Sequence, residues 1–246
     1  MTPEDLLTVF GRAADAARES LAPLTGAARR ERTEKPGQYA LDLVADAAVL
    51  PILHDADVAV VSEESGRSGR DDAEITVVLD PVDGSTNCSR DIPYWSISLC
   101  AVDVDGPLCA LVTNQATGVR MTAVRDGGAW RDGEPVAPSA VRRVEDAVVS
   151  FSGTPTRRLA WKQFRSLGSA ALELCDVAVG ALDAYLTSWV SPWDYLGGVL
   201  VCREAGAPVV EAHGEELVVA DSDIRRQLLA AATPELLDAV RPALPS

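Results

Sequence analysis

The chain has 246 residues, nearly half of them apolar, and carries 37 acidic against 22 basic side chains for a formal net charge of −15. A surface so negative repels a phosphodiester backbone, which argues against a nucleic-acid partner, and no apolar run approaches the ~20 residues that cross a bilayer. With two histidines and five cysteines, an odd number without a C-x-x-C pair, a His-based zinc centre and a disulfide framework are both disfavoured. Cys88, Cys100, Cys109, Cys175 and Cys202 read as small core residues of a protein in a reducing cytoplasm.

Thr2 and Pro3 offer an N-cap and a first helical position, and Leu6, Leu7, Phe10, Ala14 and Ala17 share one face. An amphipathic helix is therefore predicted at the start, without the basic, apolar-centred pattern of a leader. The charged stretch ARRERTEKPGQ (28–38) reads as an exposed loop. ALDLVADAAVLPIL (40–53) is helix-like after Asp42, with an interruption expected at Pro51. VAVVSEES (58–65) is a β-branched run that ends in glutamates, GRSGRDDAE (66–74) a polar turn or loop, and ITVVL (75–79) a further strand. WSISLCAVDV, PLCALVTNQ and VRMTAV, separated by DGP, ATG and RDGG, predict a meander between Trp95 and Trp130.

Beyond RDGEPVAPSAVRRVED (131–146) the elements alternate. AVVSF and LDAYLTS (182–188) read as strands, and GSAALELCDVAVG (168–180) and WDYLGGVLVCREAGA (193–207) as helices, the second ending at glycine. Short strands APVV and ELVVA and closing helices complete the pattern. A mixed α+β part over residues 1–140 and an alternating α/β part over 141–246 are expected.

DPVDGSTN (80–87) ends the ITVVL strand with closely spaced carboxylates. Like charges at low dielectric must protonate or recruit a cation. Pro81 keeps Asp80 extended and removes a donor, which lets the Val82 carbonyl turn toward an ion. Gly84 permits a sharp turn, and the N–H groups of Gly84, Ser85 and Thr86 would open a short helix suited to an anion. Glu63 and Glu64 end the preceding strand, Asp194 opens the helix after WVSPW, and Asp46 lies in the second helix. Neighbouring strands of one direction meet at one sheet edge, so Glu63 and Asp80 are expected to face the same space. Carboxylates favour magnesium, manganese or calcium. Two such ions ~3.5–4 Å apart would relieve the repulsion and clamp a phosphoryl group. Any one of these features alone reads as a solvated turn or a favourable helix-end charge.

In order along the chain, Asp46, SEES (62–65), DPVDGSTN (80–87) and WDYLGG (193–198) resemble the inositol monophosphatase family of magnesium-dependent, lithium-sensitive phosphatases. The family pattern is an aspartate in the second helix, then EE, DPxDGT or DPxDGS, and WDxxAG. GAW (128–130), RSLGSAA (165–171) and GALDAY (180–185) extend the likeness over most of the chain. The resemblance implies a layered αβαβα sandwich of the α+β and α/β type, a homodimer, and a phosphomonoesterase using about two or three Mg2+ ions, with Mn2+ as a substitute. It implies that Glu63, Asp80 and the Val82 carbonyl hold a first metal, and that Asp80, Asp83 and Asp194 hold a second. A third, weaker ion would sit near Glu63. Asp46 and Ser85 would orient the attacking water, with Glu63 in the same catalytic group. Gly84, Ser85 and Thr86 would hold the phosphate, and Gly168, Ser169 and Ala170, with Thr154, would line the alcohol side.

The likeness has two departures. DLVADAA lacks one residue of the family's D-x-V-T-x-A-D, so Asp46 is preferred for the helix-two role and Asp42 is the alternative. Inositol-cleaving members often carry a glutamate seven residues before the WD aspartate, where Thr187 stands here among the substrate contacts. A neutral hydroxyl is a weaker acceptor than a carboxylate, and Trp189 nearby offers a stacking face for a base or a sugar. The resulting expectation is hydrolysis of a small polyol, sugar or related phosphate. Adenosine 3′,5′-bisphosphate and histidinol phosphate are alternative substrates, and a catalytically weak binding or regulatory homologue is the alternative of another class.

Overall fold

The structure, a computed structural model, describes residues 1–218, 220 and 224–245. Helix α1 (Pro3–Leu21) starts as predicted: the Thr2 hydroxyl accepts the Asp5 N–H while the Asp5 carboxylate accepts the Thr2 N–H. Its buried stripe is Leu6, Phe10, Ala13, Ala14, Ala17 and Leu21, with Leu7 half-buried beside it. A single-turn α2 (Gly26–Arg29) precedes the charged loop and α3 (Ala40–His54). Pro51 does not interrupt α3. Its ring is exposed, and so is Ala47, whose carbonyl loses a donor on the solvent side where water can replace it, and the helix runs on to His54.

β1 (Ala59–Ser62) pairs in parallel with β3 (Thr76–Asp83) and antiparallel with β2 (Gly66–Gly69). GRSG, expected as a turn or loop, thus folds back as an edge strand and pairs the outer side of β1. A short α4 (Ser85–Ser89) follows β3 at once. The predicted meander is β4 (Ser96–Asp103), β5 (Gly106–Asn114), β6 (Arg120–Val124), β7 (Gly128–Arg131) and β8 (Glu134–Pro135), which completes an eight-stranded sheet in the order β2-β1-β3-β4-β5-β6-β7-β8.

A five-stranded sheet, in the order β10-β9-β11-β13-β12, is built from β9 (Val148–Ser152), β10 (Gln163–Arg165), β11 (Ala184–Thr187), β12 (Val209–Glu211) and β13 (Leu228–Ala231). Helices α5 (Ala170–Ala178) and α6 (Pro192–Ala205) flank β11 in sequence, and α7 (Pro234–Val240) lies near the end. β13 corrects the expectation of helix there. It lies between β11 and β12 with all its residues buried, so its apolar run shows no strand alternation. The strand expected over ELVVA includes residue 219, outside the described residues; its described part is not strand.

Strand alternation sorts the core into layers. Val77, Leu79, Ile97 and Leu99 meet α1 and α3 on one face of the large sheet. Val78, Cys100 and Val112 meet α5 and α6 on the other, and the same helices cover Tyr185, Leu228 and Ala230 of the small sheet. Phe151, Leu186 and Leu229 meet α7 beyond it. The result is the layered αβαβα sandwich that the resemblance implied. All five cysteines are buried and free, and no helix among the described residues is long and apolar enough to cross a membrane.

The α5–α6 seam fixes where α6 begins, and Gly198 makes it close. A Cβ there would lie 2.6 Å from the Leu174 Cβ and 3.1 Å from the Ala171 carbonyl oxygen. Gly198→Ala is therefore expected to cost about 1–3 kcal/mol through overpacking, lowering the melting temperature by roughly 2–10 °C. An unchanged thermal melt would show that the seam yields.

Candidate metal and phosphate site

Backbone pairing brings the carboxylates together. Ser62 stands opposite Leu79 in the parallel β1–β3 ladder, and the Glu63 N–H continues it to the Leu79 carbonyl at 3.1 Å, so Glu63 falls beside Asp80. Pro81 cannot donate, and the β3–β4 register shifts between Asp80 and Asp83. Asp194 comes from the first turn of α6, where one of its oxygens accepts the Ser191 N–H at 2.7 Å and so fixes the side chain. Ligand oxygens of Glu63, Asp80 and Asp194 all lie within 4.8 Å of one another.

The electrostatics are one-sided. Burial, then Asp194, Glu64 and Asp42, push Glu63 up to about 8. Burial and Asp83 push Asp194 up to about 7, and burial with Glu63, Asp83 and Asp194 raises Asp80 well above the carboxylate range. No lysine or arginine among the described residues forms an ion pair with any of the three. A set of crowded hard oxygen donors, opposed only by Arg225 acting on Asp194 from beyond ion-pair distance, fits a divalent cation.

Asp83 sits beside this group and is held differently. One of its oxygens accepts the Ser169 hydroxyl at 2.5 Å, the Ala171 N–H at 2.8 Å and the Ser96 hydroxyl at 3.3 Å, and the other accepts the Ala170 N–H at 3.2 Å. It thereby binds the N-terminus of α5. The Val82 carbonyl accepts the Ser85 hydroxyl at 3.1 Å, and the Val82 N–H donates to Asp80 at 2.9 Å. Gly84 needs its glycine twice over. Its φ of 92° is left-handed, and a Cβ would stand 2.8 Å from the Gly168 carbonyl oxygen. Asn87, one turn into α4, donates to the Tyr94 and Leu167 carbonyls at 2.7 Å each, and Thr86 accepts the Tyr39 hydroxyl at 3.3 Å.

The two aspartates of α3 part company. Asp46 accepts the Ser62 hydroxyl at 2.5 Å. Asp42, one turn earlier, accepts the Tyr39 N–H at 2.8 Å through one oxygen, while its other is buried with no partner among the described residues. Burial and Glu64 push Asp42 up to about 6, against the Tyr39 N–H and the hydroxyl of Ser85, which lies against it. It is Asp42, not Asp46, that faces Ser85.

A cleft of about 280 Å3 runs along Asp83, Asp194, Gly168, Ser169 and Ala170. Thr154 is exposed and Thr187 fully buried, and neither lines the cleft. The Thr187 hydroxyl accepts the Leu228 N–H at 2.7 Å, a bond to the unforeseen strand β13. Trp189 stacks on His213 at 5.5 Å outside that lining. Sequence reasoning passed over Glu173, which is buried on α5, lines the cleft and accepts the Ser150 hydroxyl and the Leu167 N–H. Its one sign was an acid inside the apolar run AALELC. A larger hollow of about 430 Å3 near Met1 and Arg70 contains none of these residues.

The profile of the inositol monophosphatase family matches residues 9–244. A fructose-1,6-bisphosphatase/inositol-1-monophosphatase of Archaeoglobus fulgidus is 34% identical over 252 residues, 96% of each chain. Nus factor SuhB of Pasteurella multocida is 30% identical over 83% of this chain and 82% of its own. Among solved structures, a Pyrococcus horikoshii protein described as having similarities to inositol-1 monophosphatase superposes with a TM-score of 0.89 at 26% identity, covering 100% of both chains. The fold is that of these phosphatases and their relatives. The chain belongs to the inositol monophosphatase family.

The crowded carboxylates have a measurable consequence in cation-free protein. Glu63 rises from 4.5 to about 8 on folding, so between those values the folded state binds more protons than the unfolded chain. Stability then falls as pH climbs through that window and is regained below it. In chelator, the melting temperature is expected to be lower near pH 8 than near pH 6 by roughly 5 °C, and a millimolar divalent cation should erase most of the difference. A melting temperature that rises over the same interval in chelator would contradict this.

Proposed function

We propose that the protein is a magnesium-dependent phosphomonoesterase acting on a small polyol or sugar phosphate. The observation that supports it most is the convergence of Glu63, Asp80 and Asp194, none of them in an ion pair among the described residues, beside the turn that opens α4. These three residues would hold magnesium, with the Val82 carbonyl and the less engaged oxygen of Asp83 adjacent. Manganese would serve in its place. When bound, the cation acidifies water and stabilises charge on the phosphoryl oxygens and the leaving alkoxide.

The chain's own residues supply position and proton transfer. Asp42 and Ser85 orient the attacking water, and the unpartnered oxygen of Asp42 takes its proton; a carboxylate raised to about 6 is a better base than an ordinary one. Asp46 braces the end of β1 through Ser62 and acts by position. The N–H groups of Gly84, Ser85 and Thr86 hold phosphate oxygens, and Gly168, Ser169 and Ala170 line the alcohol. In this reading residues 1–140 carry the cation and phosphate, and residues 141–246 add Asp194 and the alcohol side. Trp189 lies outside the cleft lining and gives no support to a nucleotide base. The relatives named Nus factor SuhB favour a second reading, a binding or regulatory role on the same fold.

Phosphate release from inositol, sugar, histidinol and adenosine phosphates, with and without lithium, tests the proposal. Asp80→Asn is expected to abolish turnover and magnesium binding together. Asp42→Asn should lower kcat by about 10²–10⁴, and Asp46→Asn by less than about tenfold. A larger loss from Asp46→Asn would reverse the assignment. Tight magnesium binding with no release from any substrate would favour the binding role.

A further inference from the structure

Strands β9 and β11 run parallel, with Ser150 opposite Tyr185 and Ser152 opposite Thr187. Alternation therefore places these hydroxyl side chains on one face, toward α5, while Val149, Phe151, Ala184 and Leu186 face α7. Ser150 donates to Glu173, and Thr187 accepts the Leu228 N–H. Tyr185 is different. It is 0% exposed and lines the cleft with Ser152, Glu173, Asp83 and Asp194, and its hydroxyl makes no well-formed hydrogen bond among the described residues, the Ser152 hydroxyl being the group that lies against it. A buried phenol oxygen without a well-formed partner is an unmet desolvation penalty. Among the described residues that line the cleft there is no lysine or arginine.

We propose that Tyr185, with Ser152 and Glu173, is the subsite that recognises hydroxyl groups of the substrate's alcohol. The inference rests on the phosphatase reading above and narrows it to polyol and sugar monophosphates. Asp83 and Asp194 stand at the phosphate end of the cleft, and Tyr185, on the same strand face as Thr187, supplies the polar contact that the Thr187 hydroxyl cannot. The Tyr185 hydroxyl donates to a substrate oxygen, and the Glu173 carboxylate and Ser152 hydroxyl accept from substrate hydroxyls. Binding would thus give the Tyr185 phenol a better-formed partner than the Ser152 hydroxyl beside it.

Tyr185→Phe removes only the phenol oxygen, and Ser152→Ala probes the same subsite from the neighbouring strand. The readout is the ratio of kcat/KM for the best polyol phosphate to kcat/KM for p-nitrophenyl phosphate, which offers no hydroxyl, together with the melting temperature. Each variant should lower that ratio about fivefold, mainly through KM, and Tyr185→Phe should melt at or above the wild-type temperature. A ratio within about twofold of wild type in both variants, with both substrates hydrolysed, would overturn the subsite alone. So would a lower melting temperature with equal losses on both substrates, the mark of a structural hydroxyl. A wild-type protein that releases phosphate from neither compound would overturn the subsite and the phosphatase reading together.

Discussion

Everything near the site depends on holding like charges together. Glu63, Asp80 and Asp194 come from separate elements, and when all three are ionised they repel one another. The β1–β3 ladder sets Glu63 beside Asp80, and the first turn of α6 fixes Asp194 by its bond to the Ser191 N–H. The main-chain bonds and the layered core must outweigh the repulsion, which is large because burial removes the water that would screen it. Raised proton affinity at each of the three is the signature of that opposition. A divalent ion would offset it, and the fold presents hard oxygens already in place, so little reorganisation accompanies binding.

Asp83 shows how the two sheets act as one frame. It ends β3 in the large sheet, yet its carboxylate accepts N–H groups from the start of α5, the helix between the sheets. The positive end of that helix dipole suits a negative charge, so the contact stabilises both partners. Gly84 packs against the Gly168 carbonyl, and Asn87 ties α4 to the Leu167 and Tyr94 carbonyls. The loop before α5 is thereby joined by short links to the turn that opens α4. Close packing at Gly198 fixes α6 against α5 and completes the triangle from the side of Asp194.

DPVDGSTN was legible because each residue answers a local demand: a strand end, a missing donor, a left-handed turn, an exposed helix start. The meander was legible because its turns are written in Gly, Asp and Pro. What escaped depends on contacts between distant segments. Asp42 and Asp46 are one helical turn apart and share a face, so periodicity cannot separate them; only Ser62 and Ser85, brought in by other elements, do so. β13 was hidden because burial on both faces erases alternation, and that error carried another with it. Thr187 looked available to a substrate because the strand whose N–H it binds had not been foreseen. Glu173 lay within an apolar helical run, and its partner Ser150 comes from β9, a strand outside every motif quoted.

The replacement of an acceptor carboxylate by Thr187 changes how an alcohol can be read. A carboxylate only accepts, and it fixes the direction of each substrate hydroxyl that meets it. A hydroxyl can donate or accept and can rotate between the two. A cleft already bordered by Asp83, Asp194 and Glu173 would also raise the repulsion around the cation ligands if a further carboxylate joined it. Neutral hydroxyls on β9 and β11 add polarity without that penalty. If the cleft takes the alcohol as proposed, the consequence would be a trade: recognition would gain tolerance for the arrangement of substrate hydroxyls and give up the strength of a charge-assisted bond. Under the subsite proposed for Tyr185, discrimination between substrates would rest on how many hydroxyls reach the cleft rather than on one obligatory contact.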